Sequence, residues 1–446
     1  MTPPPSGRRA VFIVFATVLI DTIGFGIIIP VMPELLRELT GSDLAGAAAW
    51  HGAIYFSFAF AQFFCAPILG NLSDRYGRRP VILCSLLAFG IDYLIMGFAN
   101  WIGWLFLGRI VAGIAGASYT PAYAFIADVS PPEKRAANFG LMGAAFGAGF
   151  IIGPAVGGLL GSLGPRAPFF VAGGLALLNA SCAWFLLPET LAPGARRHFQ
   201  WSRANPLGAL LHVRRFPLLP GLLAVHFLWQ LAMQVYPSTW SFFTMLRFDW
   251  STAAVGASLA FVGVIMVIAQ GGLTRVLIPL FGGERPSALI GMIAGSVSFV
   301  AYAFATQGWM MYAGMLIWFV AALAYPSLNA LMSQQAPANA QGELQGAAAS
   351  LASLSAIIGP PLLTQILAHF SSEAARVHFP GAAFLTAAML GAASAMLFAR
   401  ATRALAAVER GAPDAPADAA VAKATPDVPV DAEGSEPVRD ARVDAK

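Results

Sequence analysis

The chain has 446 residues, of which 58% are hydrophobic and only 11% are charged. Soluble domains contain about 25% charged residues, and a single soluble core cannot bury this much apolar surface. The composition therefore excludes a soluble enzyme and a nucleic-acid-binding protein, and it indicates a chain that crosses a membrane several times.

Apolar runs that are long enough to cross a bilayer recur twelve times. A helix needs about 20 apolar residues to cross a hydrocarbon core of about 30 Å. The first run continues past Asp21 to Pro30 without a small-residue cleavage site, so we expect a retained span and not a removed signal peptide. The sequence thus predicts an all-α membrane protein with twelve transmembrane helices. The predicted spans are 10–33, 48–69, 80–99, 101–127, 137–162, 168–187, 217–246, 252–280, 286–306, 309–334, 343–370 and 380–402.

Short segments of the first half return in the second half at a constant offset of 206 residues. They are IIGP at 151 and 357, GRRP at 77 with GERP at 283, and Tyr119 with Tyr325. The repeat predicts two six-helix halves, 1–187 and 217–402, with a binding site between them. We expect a polar cytoplasmic linker at 188–216. Residues 403–446 are rich in Ala, Pro and Asp, which predicts a disordered cytoplasmic tail.

Basic residues are distributed unevenly between the two sides of the membrane. With the N-terminus in the cytoplasm, the inward loops hold sixteen of them and the outward loops hold four, Arg37, Arg166, Arg247 and Arg376. Cytoplasmic loops of membrane proteins carry such an excess. The bias predicts cytoplasmic termini, and it explains the net charge of +4 without a nucleic-acid partner.

Three charged residues lie inside predicted spans: Asp21 in span 1, Asp92 in span 3 and Arg109 in span 4. A charge in the membrane interior costs several kcal/mol, so such residues usually serve a function. A rise of about 1.5 Å per residue places all three near the midplane, where two carboxylates would share one guanidinium. Such a cluster is one proton short of neutrality, so a proton and a cationic substrate could exclude each other there. The alternative is a static ion-pair network that orients the helices.

Several segments resemble motifs of the major facilitator superfamily. They are GNLSDRYGRRP at 70–80, the span 4 segment with Arg109 and Gly113, and GFIIGPAVGG at 149–158, which resembles a motif of the drug/proton antiporters. The resemblance covers about residues 10–400. It implies the major facilitator fold and transport by alternating access of the two halves.

Other segments narrow the resemblance to the tetracycline efflux proteins. They are DTIGFGIIIPVMP at 21–33, the segment around Asp92, FATQGW at 304–309 and QGELQG at 341–346. The resemblance implies proton-coupled export of tetracycline-like drugs across a bacterial inner membrane, with the drug free or as a cationic metal chelate. Asp21, Asp92 and Arg109 would couple the proton. The alternative is export of another amphipathic drug or metabolite.

Candidate gating residues lie in the 70–80 loop and in span 5. Asp74 stands beside Arg75, Arg78 and Arg79, with which it can form a charge latch. The resemblance implies that the latch also ties the loop to the other half and to the acid that ends span 4, Asp128. In span 5, Gly153 and Pro154 permit either a bend or close helix packing.

Substrate contacts are expected from polar residues of the spans, namely Gln62, Gln230, Gln234, Gln270, Tyr325 and Asn329. Tyr236 and Tyr302 could add aromatic surface, and we expect half of the lining residues of the second half to miss the cavity. Aligned on the tetracycline efflux proteins, Met266 replaces a histidine and Gly295 replaces a third membrane aspartate. His226 is expected to be an interfacial or packing residue. Proton chemistry would therefore rest on Asp21 and Asp92 alone.

A membrane-embedded enzyme or a receptor is the alternative from another class of protein. The sequence contains neither an HExxH nor a GxSxG motif, and it has no cluster of histidine ligands. We therefore expect a transporter that uses no cofactor and no bound metal, and that returns its substrate unchanged.

Overall fold

The computed structural model describes residues 7–116, 119–191, 194, 196–199, 219–337 and 340–409. Within these ranges the regular structure is helical, with no strand. The α-helices in chain order are α1 (Gly7–Ile28), α2 (Met32–Thr40), α3 (Leu44–Tyr76), α4 (Arg78–Phe98), α5 (Ile102–Ala115), α6 (Tyr119–Val129), α7 (Pro132–Gly161), α8 (Ala167–Leu186), α9 (Leu219–Met233), α10 (Val235–Phe248), α11 (Thr252–Ile268), α12 (Thr274–Leu280), α13 (Glu284–Ala303), α14 (Gly308–Ala321), α15 (Ala324–Gln334), α16 (Gln341–Ser371) and α17 (Ala382–Glu409).

These helices form the twelve predicted spans, and the predicted all-α fold is confirmed. Nine spans of the described chain are long and apolar enough to cross a membrane: α1, α3, α4, α7, α8, α13, α14 with α15, α16, and α17. The other three are divided: α5 with α6 (span 4), α9 with α10 (span 7) and α11 with α12 (span 8). α2 is a short amphipathic helix between spans 1 and 2.

The divided spans contain residues that interrupt helical hydrogen bonding. Span 7 breaks at Gln234, shortly before Pro237, which has no backbone N–H. Span 8 passes through a π-helical turn at Ala269–Leu273, whose sequence is AQGGL. Such breaks near the middle of the membrane are typical of transporter binding regions. Hydropathy alone predicted these spans as continuous.

Two sides of the molecule can be distinguished, because consecutive spans run in opposite directions. We call the side where span 1 begins and span 12 ends the terminus side, and the opposite side, where α2 lies, the distal side. The last helix extends to Glu409, into the segment predicted as a tail from residue 403. Most of the predicted linker and residues 410–446 of the tail lie outside the described residues.

Spans 1–6 pack with one another, and so do spans 7–12. This grouping agrees with the two halves expected from the sequence repeat, whose exact boundaries stay a prediction. In the first group α1 packs on α7 and α4 packs on α8, and in the second group α13 and α9 pack on α17. The two groups meet through α7 with α11 and through α3 with α16.

These meeting helices touch from their distal ends to about their middle, at a surface that we call the distal seam. Gly158 and Gly256 let spans 5 and 8 approach closely, because a Cβ on Gly158 would lie 2.6 Å from the Thr252 carbonyl oxygen. The Thr252 hydroxyl donates to the Gly158 carbonyl at 3.3 Å, and the Ser241 hydroxyl of span 7 donates to the Ile29 carbonyl at 3.2 Å. The distal seam therefore closes the space between the halves on that side.

Candidate functional site

An ion pair between Asp92 of α4 and Arg109 of α5 lies in the interior of the first half. Asp92 is fully buried and Arg109 is 6% exposed. Gly108 makes room for the carboxylate, because a Cβ at this position would lie 2.6 Å from Asp92 Oδ1. Removing one partner of a buried pair costs about 3–5 kcal/mol, since the other charge is left unpaired. The pair is therefore a fixed element of the site.

Aromatic rings surround the remaining surface of the Arg109 guanidinium. Its Cζ lies 5.6 Å from the centre of the Phe58 ring and 5.9 Å from the centre of the Tyr93 ring. A cation at this distance from a ring face is attracted to its π-electrons. Span 2 and span 3 thus hold the guanidinium from two sides.

Arg109 reaches a central cavity between the two halves, where about 610 Å³ of space is free of atoms when the open mouth of the cavity is included. Polar groups are few on its mostly apolar wall, the pattern of a site for amphipathic ligands. The wall comprises Phe25, Ile28, Ile29 and Met32 of the span 1 region, His51, Ile54, Tyr55 and Phe58 of span 2, Arg109 of span 4, and Pro237, Ser238, Ser241 and Phe242 of span 7.

Asp21 is buried in span 1 and forms no ion pair with any of the described residues. The expectation that Asp21 and Asp92 share Arg109 is therefore not met in this structure. Depth along a helix can be counted from the sequence, but the rotation of each helix decides which side chains meet. The ion pair of Asp92 and Arg109 has no net charge. The group of three residues is therefore one proton short of neutrality, and Asp21 is the residue that would take up this proton.

The position of Asp21 on α1 places it between two cavities. Phe25, four residues later, lines the central cavity, and Val18, three residues earlier, lines a smaller pocket of about 280 Å³ with Tyr123 and Phe146. Residues three and four apart share one face of a helix. Asp21 therefore lies on the α1 face that links the central cavity to this pocket nearer the terminus side.

None of the six predicted substrate residues belongs to the wall of the central cavity. Gln62 donates its amide to the Gly116 carbonyl at 3.1 Å, at the break of span 4. Gln234 stands at the break of span 7, and its carbonyl accepts a hydrogen bond from Ser238, a wall residue, at 2.5 Å. These two glutamines border the cavity and support helix breaks.

The other four predicted residues lie away from the cavity wall. Gln230 is half-buried one turn before Gln234, and Gln270 is exposed in the π-helical turn. Tyr325 is 49% exposed, and Asn329 accepts a hydrogen bond from Gln345 at 3.5 Å. They lie toward the terminus side.

Tyr236 and Tyr302 belong to an aromatic core and not to a cavity wall. Tyr302 is fully buried, and its ring centre lies 5.3 Å from Trp240 and 5.5 Å from Phe384. The ring of Tyr236 packs at 5.4 Å against Trp318. The expectation that they line the site is wrong for this structure, because this half fills its interior with interlocking rings.

The two departures from the tetracycline efflux pattern have different surroundings. Met266 is 44% exposed on α11. Gly295 is buried against Trp229, whose Cη2 would lie 2.5 Å from a Cβ on the glycine. The indole ring therefore fills the space that a carboxylate side chain would need. His226 is buried as well, beside the Tyr325 ring at 6.0 Å, as expected of a packing residue.

The sequence reasoning missed His51, Tyr55 and Phe58, which form much of the cavity wall. With Gln62 they recur at intervals of four, three and four residues, which places them on one face of span 2. That spacing was a usable signal. None of the three side chains is an acid or a permanent base, so a pattern of charged residues inside the spans does not include them.

The predicted latch on the terminus side forms within the first half. Arg78 pairs with Asp74 one turn earlier and with Asp128 at the end of span 4, the latter at 3.3 Å. Glu189, which was not predicted, accepts the backbone N–H of Arg78 at 2.9 Å. In the described part of the chain no ion pair joins these residues to the second half.

The other two arginines of the 70–80 loop make local contacts. Arg75 lies over the Tyr76 ring at 5.1 Å. Arg79 donates to the Trp184 carbonyl at 2.5 Å, which joins the start of span 3 to the end of span 6. Neither contact crosses between the halves.

Gly153 and Pro154 take part in close packing in α7. A Cβ on Gly153 would lie 2.7 Å from both the Gly26 Cα and the Ile23 carbonyl oxygen of span 1. The Pro154 carbonyl faces Gly256 of span 8 across the distal seam. The motif thus brings three spans into backbone contact.

Comparisons with known proteins agree with this architecture. The Major Facilitator Superfamily profile matches residues 14–360. The class C tetracycline resistance protein of Escherichia coli is 40% identical over 365 residues, which are 82% of this chain and 91% of that protein. Multidrug resistance protein 2 of Bacillus subtilis is 29% identical over 364 residues, 80% of this chain and 88% of that protein.

A solved structure shows the same fold. The crystal structure of the human organic anion transporter MFSD10 superposes with a TM-score of 0.65 and 24% identity, covering 89% of this chain and all of that one. The chain therefore belongs to the major facilitator superfamily of membrane transporters and, within it, to the tetracycline resistance proteins.

Proposed function

We propose that this protein exports tetracycline-like drugs across the bacterial cytoplasmic membrane in exchange for protons. The sequence identity of 40% to the class C tetracycline resistance protein, over 91% of the length of that protein, supports this substrate class. The observation that carries the mechanism is that Asp21 is buried on the face of α1 between the two cavities, with no ion-pair partner among the described residues.

The terminus side is the cytoplasmic side in this proposal. The excess of basic residues in the loops of that side supports the assignment. The closed distal seam supports an inward-facing state, in which drug would reach the central cavity from the cytoplasm.

Asp21 exchanges a proton for the drug. A buried carboxylate without a counter-ion must be neutralised, and either a proton or a cationic group can do so. A drug that enters as a cation or a cationic metal chelate displaces the proton to the cytoplasm. Exchange of a singly charged cation for one proton moves no net charge, so the pH gradient drives it, and each pH unit supplies about 1.4 kcal/mol, which sustains a drug ratio of about tenfold.

Arg109 orients the drug in the cavity. Its guanidinium can donate hydrogen bonds to oxygens of a polyoxygenated ring system, while Phe58 and Phe242 offer flat apolar surface to the rings. Asp92 stays paired with the guanidinium during the whole transport cycle, and Gly108 leaves space for the carboxylate.

The test is drug-driven proton movement in reconstituted vesicles that hold a pH-sensitive dye and an imposed pH gradient. Tetracycline should dissipate the gradient in vesicles with the wild-type protein, and Asp21→Asn should abolish the response. A pH response that persists in Asp21→Asn would remove Asp21 from the mechanism.

A second candidate is export of another amphipathic drug by the same exchange. Trp229 against Gly295 favours it, because the second half cannot house the third aspartate of the tetracycline pattern. The sequence identity of 29% to a multidrug resistance protein, over 88% of the length of that protein, supports the same alternative. A panel of cationic and polyoxygenated drugs in the vesicle assay separates the two, since only drugs that are carried move protons.

A further inference from the structure

His51 is a titratable residue on the wall of the central cavity that the proposed mechanism does not use. It belongs to span 2, and its ring centre lies 5.1 Å from the Phe242 ring of span 7, in the other half. The ring also lies beside the backbone of Pro237. His51 is therefore part of the contact between the halves near the distal side.

The backbone of Pro237 is a hydrogen-bond partner of the imidazole, and none of the described wall residues offers it an acid. Its Nδ1 atom is buried and makes no hydrogen bond. The other titratable groups on the wall are Tyr55 of its own helix and Arg109 of span 4.

The remaining helices around the imidazole supply no acid to the wall. The wall residues of spans 1 and 7 are apolar or hydroxyl side chains, and span 11 packs on Gly52 through Pro360, Pro361 and Thr364. The acids of α2, Glu34 and Glu38, do not belong to the wall. A charged imidazole would thus share the wall with the Arg109 guanidinium, whose charge Asp92 already offsets, and the described wall holds no second acid to pair with the imidazole.

Alternating access requires the distal seam to open at a later stage of the transport cycle. The contacts of His51 with Phe242 and Pro237 are then lost, and water reaches the ring. Histidine changes charge between pH 5 and 8 when it is hydrated. A group that binds a proton better in one of two states shifts the equilibrium toward that state when the pH falls.

We propose that His51 is a second proton-binding residue of the transport cycle, neutral while the distal seam is closed and charged while it is open. Acid on the distal side then favours opening, and the seam closes only after the imidazole has lost its proton. The inference rests on the proposed proton-coupled export, but opening can be measured without any drug or transport.

The experiment measures how fast a cysteine behind the distal seam reacts with a membrane-impermeant thiol reagent. The reporter is Ser238→Cys, on the buried wall, in a full-length protein that lacks the native Cys65, Cys84 and Cys182. The protein is labelled in spheroplasts, where in the proposed orientation the reagent reaches only the distal side. Ser162→Cys, exposed on the distal side, gives the reference rate at each pH, which corrects for the amount of protein and for thiolate content.

Between pH 8 and pH 5.5 the normalised rate should rise at least about fivefold, the lower range of couplings between protein sites. His51→Gln should remove this rise. His51→Lys, which keeps a charge at both pH values, should react fast at both. The matched control is His369→Gln, an exposed histidine at the distal end of span 11, which should keep the full rise.

A rise that persists in His51→Gln, or the absence of any rise in the parent protein, would overturn the proposal. Size-exclusion profiles verify that each variant is folded, and the His51→Lys result tests the idea even where His51→Gln fails to fold. If vesicles show no drug-driven proton movement while the labelling depends on His51, the proposed export fails and the pH-dependent seam stands.

Discussion

Two aspartates that look alike in the sequence, Asp92 and Asp21, are both buried but differ in their ion pairs. Asp92 has its guanidinium and a glycine that makes space for it, whereas Asp21 is buried without an ion-pair partner among the described residues. In the proposed mechanism the first holds Arg109 in place. The second is the candidate for proton exchange.

Asp21→Asn should abolish uphill export but leave drug counterflow, since a neutral side chain still permits the drug-loaded halves to rock. Counterflow of labelled drug between equal pH values measures this step, and accumulation against a gradient measures the coupled one. Asp92→Asn is the comparison, because it leaves Arg109 buried and unpaired and should lower both activities together. Equal loss of counterflow in the two variants would contradict the division of roles.

Gly108→Ala should lower stability by about 1–3 kcal/mol, the usual cost of overpacking, because the new methyl group would meet the Asp92 carboxylate. Thermal unfolding in detergent measures the change. Gly174→Ala is the matched control in α8, since its Cβ meets no atom within 4 Å. It should be neutral or stabilise by about 0.5–1 kcal/mol, as for Gly to Ala in a helix interior. Equal unfolding temperatures of the two variants would contradict the packing argument.

At the residue scale the sequence predicted which charges lie in the membrane but not how they pair. Depth follows from counting residues, whereas pairing depends on how each helix is rotated about its axis. The span 2 face of His51, Tyr55, Phe58 and Gln62 was readable from its spacing. Its apolar and neutral members do not stand out in a search for charges.

At the scale of elements, spans 5 and 8 form the closest described backbone contact between the two groups of spans. Small residues allow their backbones to touch near the distal side, as is common for helices that pack in membranes. Hydropathy predicted where these spans lie within a few residues. The breaks in spans 4, 7 and 8 were not predicted, because an apolar run has the same hydropathy whether or not its hydrogen bonds are continuous.

Gly158→Val should force the distal seam apart, because its side chain would meet the Thr252 carbonyl and Gly256. Reaction of Ser238→Cys with the impermeant reagent should rise, and drug export should fall. Gly143→Val in the same helix has no atom near its Cβ and should change neither quantity. Unchanged labelling in Gly158→Val would show that this contact does not hold the seam closed.

For the whole molecule, the repeat and the twelve apolar runs were enough to predict the architecture. The latch shows what they could not provide. Asp74, Arg78 and Asp128 are joined as expected, but the contacts stay within the first half and recruit Glu189. A sequence describes no single conformation, and this conformation is closed at the distal seam. A latch contact across the terminus side stays a prediction.

The central claim is that Asp21 gives up a proton when the drug binds, and proton release on binding tests it most directly. Calorimetric titration of the purified protein with tetracycline, in buffers of different ionisation enthalpy, counts the protons released. We predict about one proton per drug for the wild-type protein and none for Asp21→Asn, with drug still bound. Release of the same number of protons by Asp21→Asn would contradict the account.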